Sequence, residues 1–346
     1  MNRLEHLAST LPQNLLDNQE YPSTDFVILN YNSKDELEKY ILHTFRTEIQ
    51  SGRISYFRTA QPNYFDRSHS RNVAFRLAQG DILCNLDSDN FTGNGFAAYL
   101  NNLFCASPDI FVCAPPVDNI AGRIAMRKQD YLATRGYDER MKCYGYEDYD
   151  MVYRLEMNGL KKVIINDARF MRAIDHPQSK RIENEYIKTH LLDLYIRHIT
   201  PSISEAIILL KDNHFLTGPL IDYNTLEAEI NSGRSAPLRE YIEPNFDEGS
   251  CCRTKQGLQL LMPGSDVIQL EFGPGEDILR GPNQKIFYRL SGKEEMINEC
   301  IQFFSQQFNR SILDGKKSSL PAIINSNGFG STMVFKNYDQ NTGISI

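Results

Sequence analysis

The chain has 346 residues, 41% hydrophobic and 23% charged, enough apolar material for one large domain and a smaller one. A formal net charge of −7 excludes a general nucleic-acid binder, whose footprint is basic, but not a nucleotide whose diphosphate a divalent cation neutralises. No apolar run nears the about 18–20 residues that span a bilayer, and the first six residues show no basic region leading into an apolar stretch, so neither a span nor a signal peptide is expected.

In chain order, the first half alternates short apolar strands with helical segments, the pattern of an α/β layer fold with mainly parallel strands. Residues 26–29 are predicted as a strand ending in polar Asn30-Tyr31-Asn32, followed by a helix over about 35–49. A second strand is predicted at 54–57, then a helix at 68–77 with Ser68 as its cap and Gly80 as its stop. The strand predicted at 82–86 runs directly into Asp87-Ser88-Asp89-Asn90; a helix over 94–104 and a strand over 110–114, stopped by Pro115-Pro116, come next. Residues 148–158 are predicted helical, 163–165 a strand, and 180–199 a long helix ending before Pro201. From Gly257 short β-like runs at 258–261, 267–272 and 286–290 are broken by Pro-Gly and Gly-Pro turns, and an amphipathic helix over about 294–308 follows. The change of character places a boundary near residues 200–215, with no internal repeat. Seven cysteines, Cys84, Cys105, Cys113, Cys143, Cys251, Cys252 and Cys300, form no CxxC pair, so they read as reduced thiols of a cytosolic protein.

Two clusters carry chemistry. Asp87 and Asp89 follow an apolar strand, where ligands of open α/β sheets bind. Two acids one residue apart can clamp a hard divalent cation that holds diphosphate oxygens, although a solvated turn explains most such triplets. The second cluster is Gly136-Tyr137-Asp138-Glu139, then Tyr144-Gly145-Tyr146-Glu147-Asp148-Tyr149-Asp150 and Arg154. Glu147 and Asp148 start a helix, where the macrodipole alone favours acids. Beside them Tyr144 and Tyr146 offer faces for a sugar, and one carboxylate can deprotonate a hydroxyl.

In order, Asn30-Tyr31-Asn32, Arg71-Asn72, Gly80-Asp81, the DxD triplet and the Glu-Asp helix start resemble the family 2-like glycosyltransferases. Phe65-Asp66-Arg67 through Phe75, and Gly136 through Arg154, are similar to segments of the β-1,4-galactosyltransferase group. The resemblance covers roughly residues 25–200. It implies a GT-A (Rossmann-like) α/β fold with a mixed, mainly parallel sheet flanked by helices over residues 1–215. A smaller α+β region, β-rich with one helix and of unassigned role, would occupy 216–346. It also implies an inverting, metal-dependent glycosyltransferase that moves a hexose from a nucleotide-diphosphate sugar, by default UDP-linked, to a glycan or other hydroxyl acceptor in polysaccharide biosynthesis.

Residue by residue, the resemblance makes Asp148 the base and Glu147 an anchor for the acceptor hydroxyl. Asp89, Asp87 and His176 would hold Mn²⁺ or Mg²⁺. Asn30, Asn32, Arg67, Arg71, Asn72 and Asp87 would line the donor, with Arg67 and Arg71 toward its diphosphate. For His176, in Asp175-His176-Pro177, a plain surface histidine is the other reading. Two features depart from the pattern. Phe57 leads to Arg58-Thr59-Ala60-Gln61 without the acid that commonly recognises the base, and the anchor and disulfides of luminal galactosyltransferases are missing. A bacterial-type cytoplasmic enzyme, free or peripheral at the inner membrane surface, fits better. The competing readings are a sugar nucleotidyltransferase, for which 30–35 lacks the expected Gly-rich basic loop, and a GT-A-like module that binds glycan or protein without catalysis.

Overall fold

The computed structural model describes residues 1–116, 119–231, 245–264, 267–292, 294–318, 324–339 and 341–346. It divides into two compact units: Met1–Lys142, Tyr146–Gln178 and Ala322–Ile346 form the first, Cys143–Gly145 and Ser179–Pro321 the second.

The first unit opens with α1 (Leu4–Asp17), then β1 (Phe26–Tyr31), α2 (Leu37–Thr44), α3 (Arg46–Gln50), β2 (Ile54–Thr59) and α4 (Arg67–Leu77). It continues with β3 (Ile82–Cys84), α5 (Phe96–Ala106), β4 (Ile110–Cys113), β5 (Ile124–Arg127), α6 (Lys128–Ala133), α7 (Glu147–Met157) and β6 (Lys161–Ile164). β1 and β2 pair in parallel, as do β4 and β6, whereas β5 lies antiparallel between β3 and β4. In the sheet β3-β5-β4-β6 the central strands β5 and β4 are buried on both faces. Ile110, Val112 and Ala125 meet Phe96, Leu100 and Phe104 of α5, while the alternate residues Phe111, Cys113, Ile124 and Met126 meet Phe75 of α4, Tyr131 of α6 and Met151 and Leu155 of α7. The period of two along each strand produces this division. On the other sheet Leu11 of α1 packs with Ile28, Ile41, Ile54 and Tyr56.

The second unit contains α8 (Ser179–Ile182), α9 (Tyr186–His190), β7 (Leu191–Thr200), β8 (Ile203–Leu210), β9 (His214–Ile221) and α10 (Tyr223–Asn231). Then come β10 (Asp247–Arg253), β11 (Gly257–Leu261), β12 (Ile268–Phe272), β13 (Ile278–Arg280), β14 (Ile286–Arg289) and α11 (Glu294–Ser318). β7 to β14 close into a barrel of antiparallel pairs. Tyr195, Ile207, Leu209, Phe215, Leu258, Leu270, Leu279 and Phe287 fill it. The alternate residues Leu194, Ile208, Leu210 and Leu216 pack outward against Ile301 and Phe304 of α11. Both faces of β8 are buried, which accounts for its unbroken apolar run.

The chain then returns to the first unit as β15 (Met333–Lys336) and β16 (Ile344–Ser345), giving the order β1-β2-β15-β16, with β15 antiparallel to β2. The α/β class with mixed sheets and a β-rich C-terminal region matches expectation, but among the described residues the sheets are not mainly parallel, since only β1–β2 and β4–β6 pair that way. Several elements differ. Residues 180–199 are not one helix: only α8 and α9 are helical, and from Leu191 the chain is β7, because alternate burial of Leu194 and Tyr195 against opposite sides outweighs local helix propensity. The helix over 35–49 breaks at Phe45, and α4 is capped by Asp66, whose carboxylate accepts from the His69 amide, rather than by Ser68. Residues 200–215, where the sequence places a boundary, run from the end of β7 through β8 into the start of β9, and the compact units part between Gln178 and Ser179.

Candidate active site

Three elements of the first unit converge on one guanidinium. Arg71, in the middle of α4 and 7% exposed, donates through Nη1 to Asp148 Oδ1 at 2.6 Å and to Glu147 Oε1 at 3.0 Å. Its Nη2 lies 3.6 Å from Asp87 Oδ1, and the Tyr137 ring sits 5.2 Å from its guanidinium carbon. Arg67 Nε lies 3.5 Å from Glu147 Oε1. Glu147 is 4% exposed, and its Oε2 is buried with no hydrogen-bond partner.

The backbone explains why these groups meet. α7 starts from two left-handed residues, Gly145 at φ 95° and Tyr146 at φ 67°. The second, with a bulky side chain, is a costly conformation of the kind kept at functional sites. It delivers Glu147 and Asp148 as the first residues of the helix. Asp150 is fully buried and bound by Arg154, so it is structural. Gly122, before β5, supplies the gap between the acids: a Cβ there would come 2.9 Å from Arg71 Nη2 and 3.1 Å from both Asp87 Oδ2 and Asp148 Oδ2. Gly122 was not legible as a site residue, and Tyr137, although part of the second cluster, was not legible as the ring beside Arg71, since each matters through contacts distant in sequence.

The loop after β3 is held from two sides. Asn85 donates to Asp87 Oδ1 and the Gly122 carbonyl. The Phe91 amide donates to Arg172 O and the Ile174 amide to Asp89 O, a short antiparallel bridge that carries the chain on to His176. His176 Nε2 accordingly lies 2.9 Å from Asp89 Oδ2, with side chains 10% and 13% exposed. From the other side α1 presents Thr10, Asn14 and Asn18. Thr10 Oγ1 donates to Ser88 O, Asn14 Nδ2 to Asn90 O and Asn18 Nδ2 to Thr92 Oγ1, while Asn14 Oδ1 accepts from the Thr92 amide.

Burial works to raise the Asp87 carboxyl, but Arg71, Arg67 and the Asn85 hydrogen bond outweigh it and hold the group below its usual range. For Asp148 burial wins over Arg71 and, with Glu147 and Asp87 adding to it, pushes the carboxyl up to about 7. Two carboxylates on one guanidinium are thus driven apart, one firmly ionised and one poised near neutrality, the arrangement acid–base sites use.

The remaining donor-side residues are placed as follows. Asn30 donates to Tyr56 Oη and accepts from the Ser33 amide, and Asn32 donates to Pro62 O and accepts from Lys34 Nζ. Both lie at the end of β1. Asn72 is fully buried; its Nδ2 donates to Tyr137 O and Glu139 Oε1, and its Oδ1 accepts from the Tyr137 amide and Tyr131 hydroxyl. That amide is saturated, leaving no group for a nucleotide; it ties α4 to the 136–139 segment. Tyr144 belongs to the second unit, where its hydroxyl accepts from Arg181. Among the described residues no three His, Cys, Asp or Glu side chains stand gathered around one point for a metal.

Residues 2–172 match the model of glycosyl transferase family 2. No curated protein matches the chain in sequence. Among solved structures the chain is similar to Staphylococcus aureus TarS 1–349, at 14% identity and a TM-score of 0.41 over 49% of this chain and 56% of that one. It is also similar to Drosophila β1,4-galactosyltransferase 7, solved as a mutant with manganese, UDP-Gal and xylobiose, at 17% identity and a TM-score of 0.32 over 47% of this chain and 76% of that one. A longer S. aureus TarS structure pairs with 85% of this chain at 8% identity and a TM-score of 0.41. The family match makes the first unit a GT-A fold, with the barrel as an additional β-rich region.

Proposed function

Starting from a chain whose residues 2–172 are a glycosyl transferase family 2 domain, we propose an inverting, metal-dependent enzyme that transfers a hexose from a UDP-sugar to a hydroxyl of a glycan. The observation that carries this reading is the convergence of Asp87, Glu147 and Asp148 on Arg71. A carboxyl poised near neutrality beside a permanently ionised one suits a general base next to a cation or phosphate.

In this mechanism Asp148 takes the proton of the acceptor hydroxyl as its oxygen attacks the anomeric carbon and the bond to the departing nucleotide diphosphate breaks. One base, on the face opposite the leaving group, inverts the centre. Glu147 Oε2, buried without a donor, accepts a second hydrogen bond from the acceptor. Arg71 holds both acids in register, and Arg67, beside Glu147, faces the negative charge that develops on the diphosphate. Asp89 and His176, 2.9 Å apart, are oxygen and imidazole donors of the kind that suit Mn²⁺ or Mg²⁺, while Asp87 lies beside Arg71 and the three are not gathered around one point. Such a cation, when bound, supplies charge neutralisation for the diphosphate. A glycan acceptor would place the reaction in polysaccharide assembly; no helix among the described residues is long and apolar enough to cross a membrane.

The test is a screen of UDP-, GDP- and TDP-sugars with and without Mn²⁺, following donor binding and hydrolysis. Metal-dependent turnover of a UDP-sugar is expected. Donor binding without turnover under any condition would leave a non-catalytic binding domain, and failure to bind any nucleotide would end the reading altogether.

A further inference from the structure

We propose that Asn325 is a positioning residue of the acidic site: through its amide, the segment from Ile324 to Gly330 holds the Tyr137 ring beside the Arg71 guanidinium. The proposal rests on the reading of Asp87, Glu147 and Asp148 as a catalytic cluster centred on Arg71. The segment belongs to the same compact unit as that cluster but lies outside residues 2–172, which match the family.

Two groups near Arg71 are gripped from both sides. The Tyr137 carbonyl accepts from Asn72 Nδ2 at 2.9 Å and from Asn325 Nδ2 at 2.7 Å. Glu139 Oε1 accepts from the same Asn72 amide at 2.9 Å and from the Gly330 amide at 2.6 Å. Asn72 follows Arg71 on α4, so each grip runs on one side to the helix that carries the guanidinium. On the other side it runs to residues 188 and 191 positions further along the chain.

Every hydrogen-bonding position of the Asn325 amide is used in this way. Its Nδ2 also donates to the Arg135 carbonyl at 2.8 Å, and its Oδ1 accepts from the Glu139 amide at 3.2 Å. Arg135 returns the contact, donating through Nε and Nη2 to the Ile324 and Asn325 carbonyls. Asn325 sits at φ 48°, a left-handed conformation that asparagine tolerates better than most side chains. Further along, the Phe329 ring meets Tyr131 edge-on at 5.7 Å. Gly330 lies so close to α4 that a Cβ on it would come 2.8 Å from the Asn72 carbonyl carbon. The segment therefore touches both supports of the guanidinium, the helix behind it and the ring beside it.

That ring is the route to the acids. Tyr137 is fully buried, and its centroid lies 5.2 Å from the guanidinium carbon of Arg71, whose Nη1 holds Glu147 and Asp148. A guanidinium within about 6 Å of an aromatic face is attracted to it, so a displaced ring displaces Arg71 and the carboxylates with it. A misplacement of about 1 Å in a catalytic constellation can cost about a hundredfold in rate.

The test compares full-length wild type, Asn325→Gly, Arg71→Met and the double variant. Asn325→Gly keeps the left-handed backbone and removes only the amide. Well below its melting temperature, its turnover of the UDP-sugar should fall about tenfold to a hundredfold, with UDP affinity by calorimetry held. Added to Arg71→Met, the change should lower turnover no further, as two residues acting through one interaction are not additive. A second readout needs no turnover. The fluorine resonance of Tyr137 in fluorotyrosine-labelled protein, identified by its absence from Tyr137→Phe, should move in Asn325→Gly. A lowered melting temperature with wild-type turnover and an unmoved resonance would reduce Asn325 to a staple of the fold and overturn the proposal. Losses that add in full in the double variant would overturn it too. Should Asn325→Gly not fold, Arg135→Met, which removes the two hydrogen bonds returned to the segment, takes its place with the same outcomes for and against. If wild type turns over no nucleotide sugar, the catalytic reading fails, and the resonance alone decides whether Asn325 sets the ring.

Discussion

At the scale of residues, the acidic cluster works as a unit because one arginine serves three carboxylates. Asp148→Asn keeps the shape and removes the proton acceptor. General-base contributions run to about 10²–10⁴-fold, so turnover should fall at least about a hundredfold while donor affinity holds; calorimetry of UDP binding beside steady-state rates decides it. Unchanged turnover, or loss of donor binding, would take the base role from Asp148. The pH profile has a defined sign. A base works ionised, so kcat/KM should climb with pH through an apparent pKa near the value of about 7 to which burial raises Asp148. Arg71 pulls that value down; Arg71→Met should therefore move the acidic limb to higher pH. A limb that stays in place in a folded Arg71→Met variant would show that Arg71 does not govern the titration. The acids were legible in the sequence because they lie in short runs after a strand and at a helix start. That Arg71 stands between the two runs, and that Gly122 leaves the gap they share, was not, since both depend on contacts among segments far apart in the chain.

At the scale of elements, α1 is the largest piece the sequence left unassigned. Pro12 lies inside it, and a proline in a helix interior removes a hydrogen bond. Its apolar face, including Leu11, packs into the core around Ile28 and Ile41, while its polar stripe binds the loop after β3. Asn14 is the centre of that stripe. Asn14→Ala would leave the buried Asn90 carbonyl and Thr92 amide without their partner. The expected cost is about 1–3 kcal/mol per unpaired group, read as a lower denaturation midpoint; a change below about 0.5 kcal/mol, the scatter of ordinary surface substitutions, would mean α1 does not brace the loop. The β7 segment failed for a different reason. Residues suited to a helix were recruited into a barrel whose two faces each needed an apolar row, a demand set by strands not yet reached in the sequence.

For the whole molecule, the β-rich character beyond residue 257 was legible from its turns, but not that those strands close with β7, β8 and β9. A chain ending at residue 215 would stop two residues into β9, leaving β8 paired with β7 alone and the barrel open. It should be insoluble or lack cooperative unfolding by calorimetry; a soluble, cooperatively melting product would contradict the barrel as described. Closure is also protective, because a barrel has no free strand edge for another chain to join.

The pairing of β15 with β2 sets a schedule for folding during synthesis. A nascent chain leaves the ribosome with its N-terminus first, and domains fold as they are completed. All eight barrel strands are made before Met333 exists, so the barrel can close while β2 still waits for its second neighbour. Throughout that interval the unit bearing the acidic cluster carries a bare strand edge, and joining it requires contact between distant parts of the chain, the slowest kind to form. The unit translated first is the last to be finished.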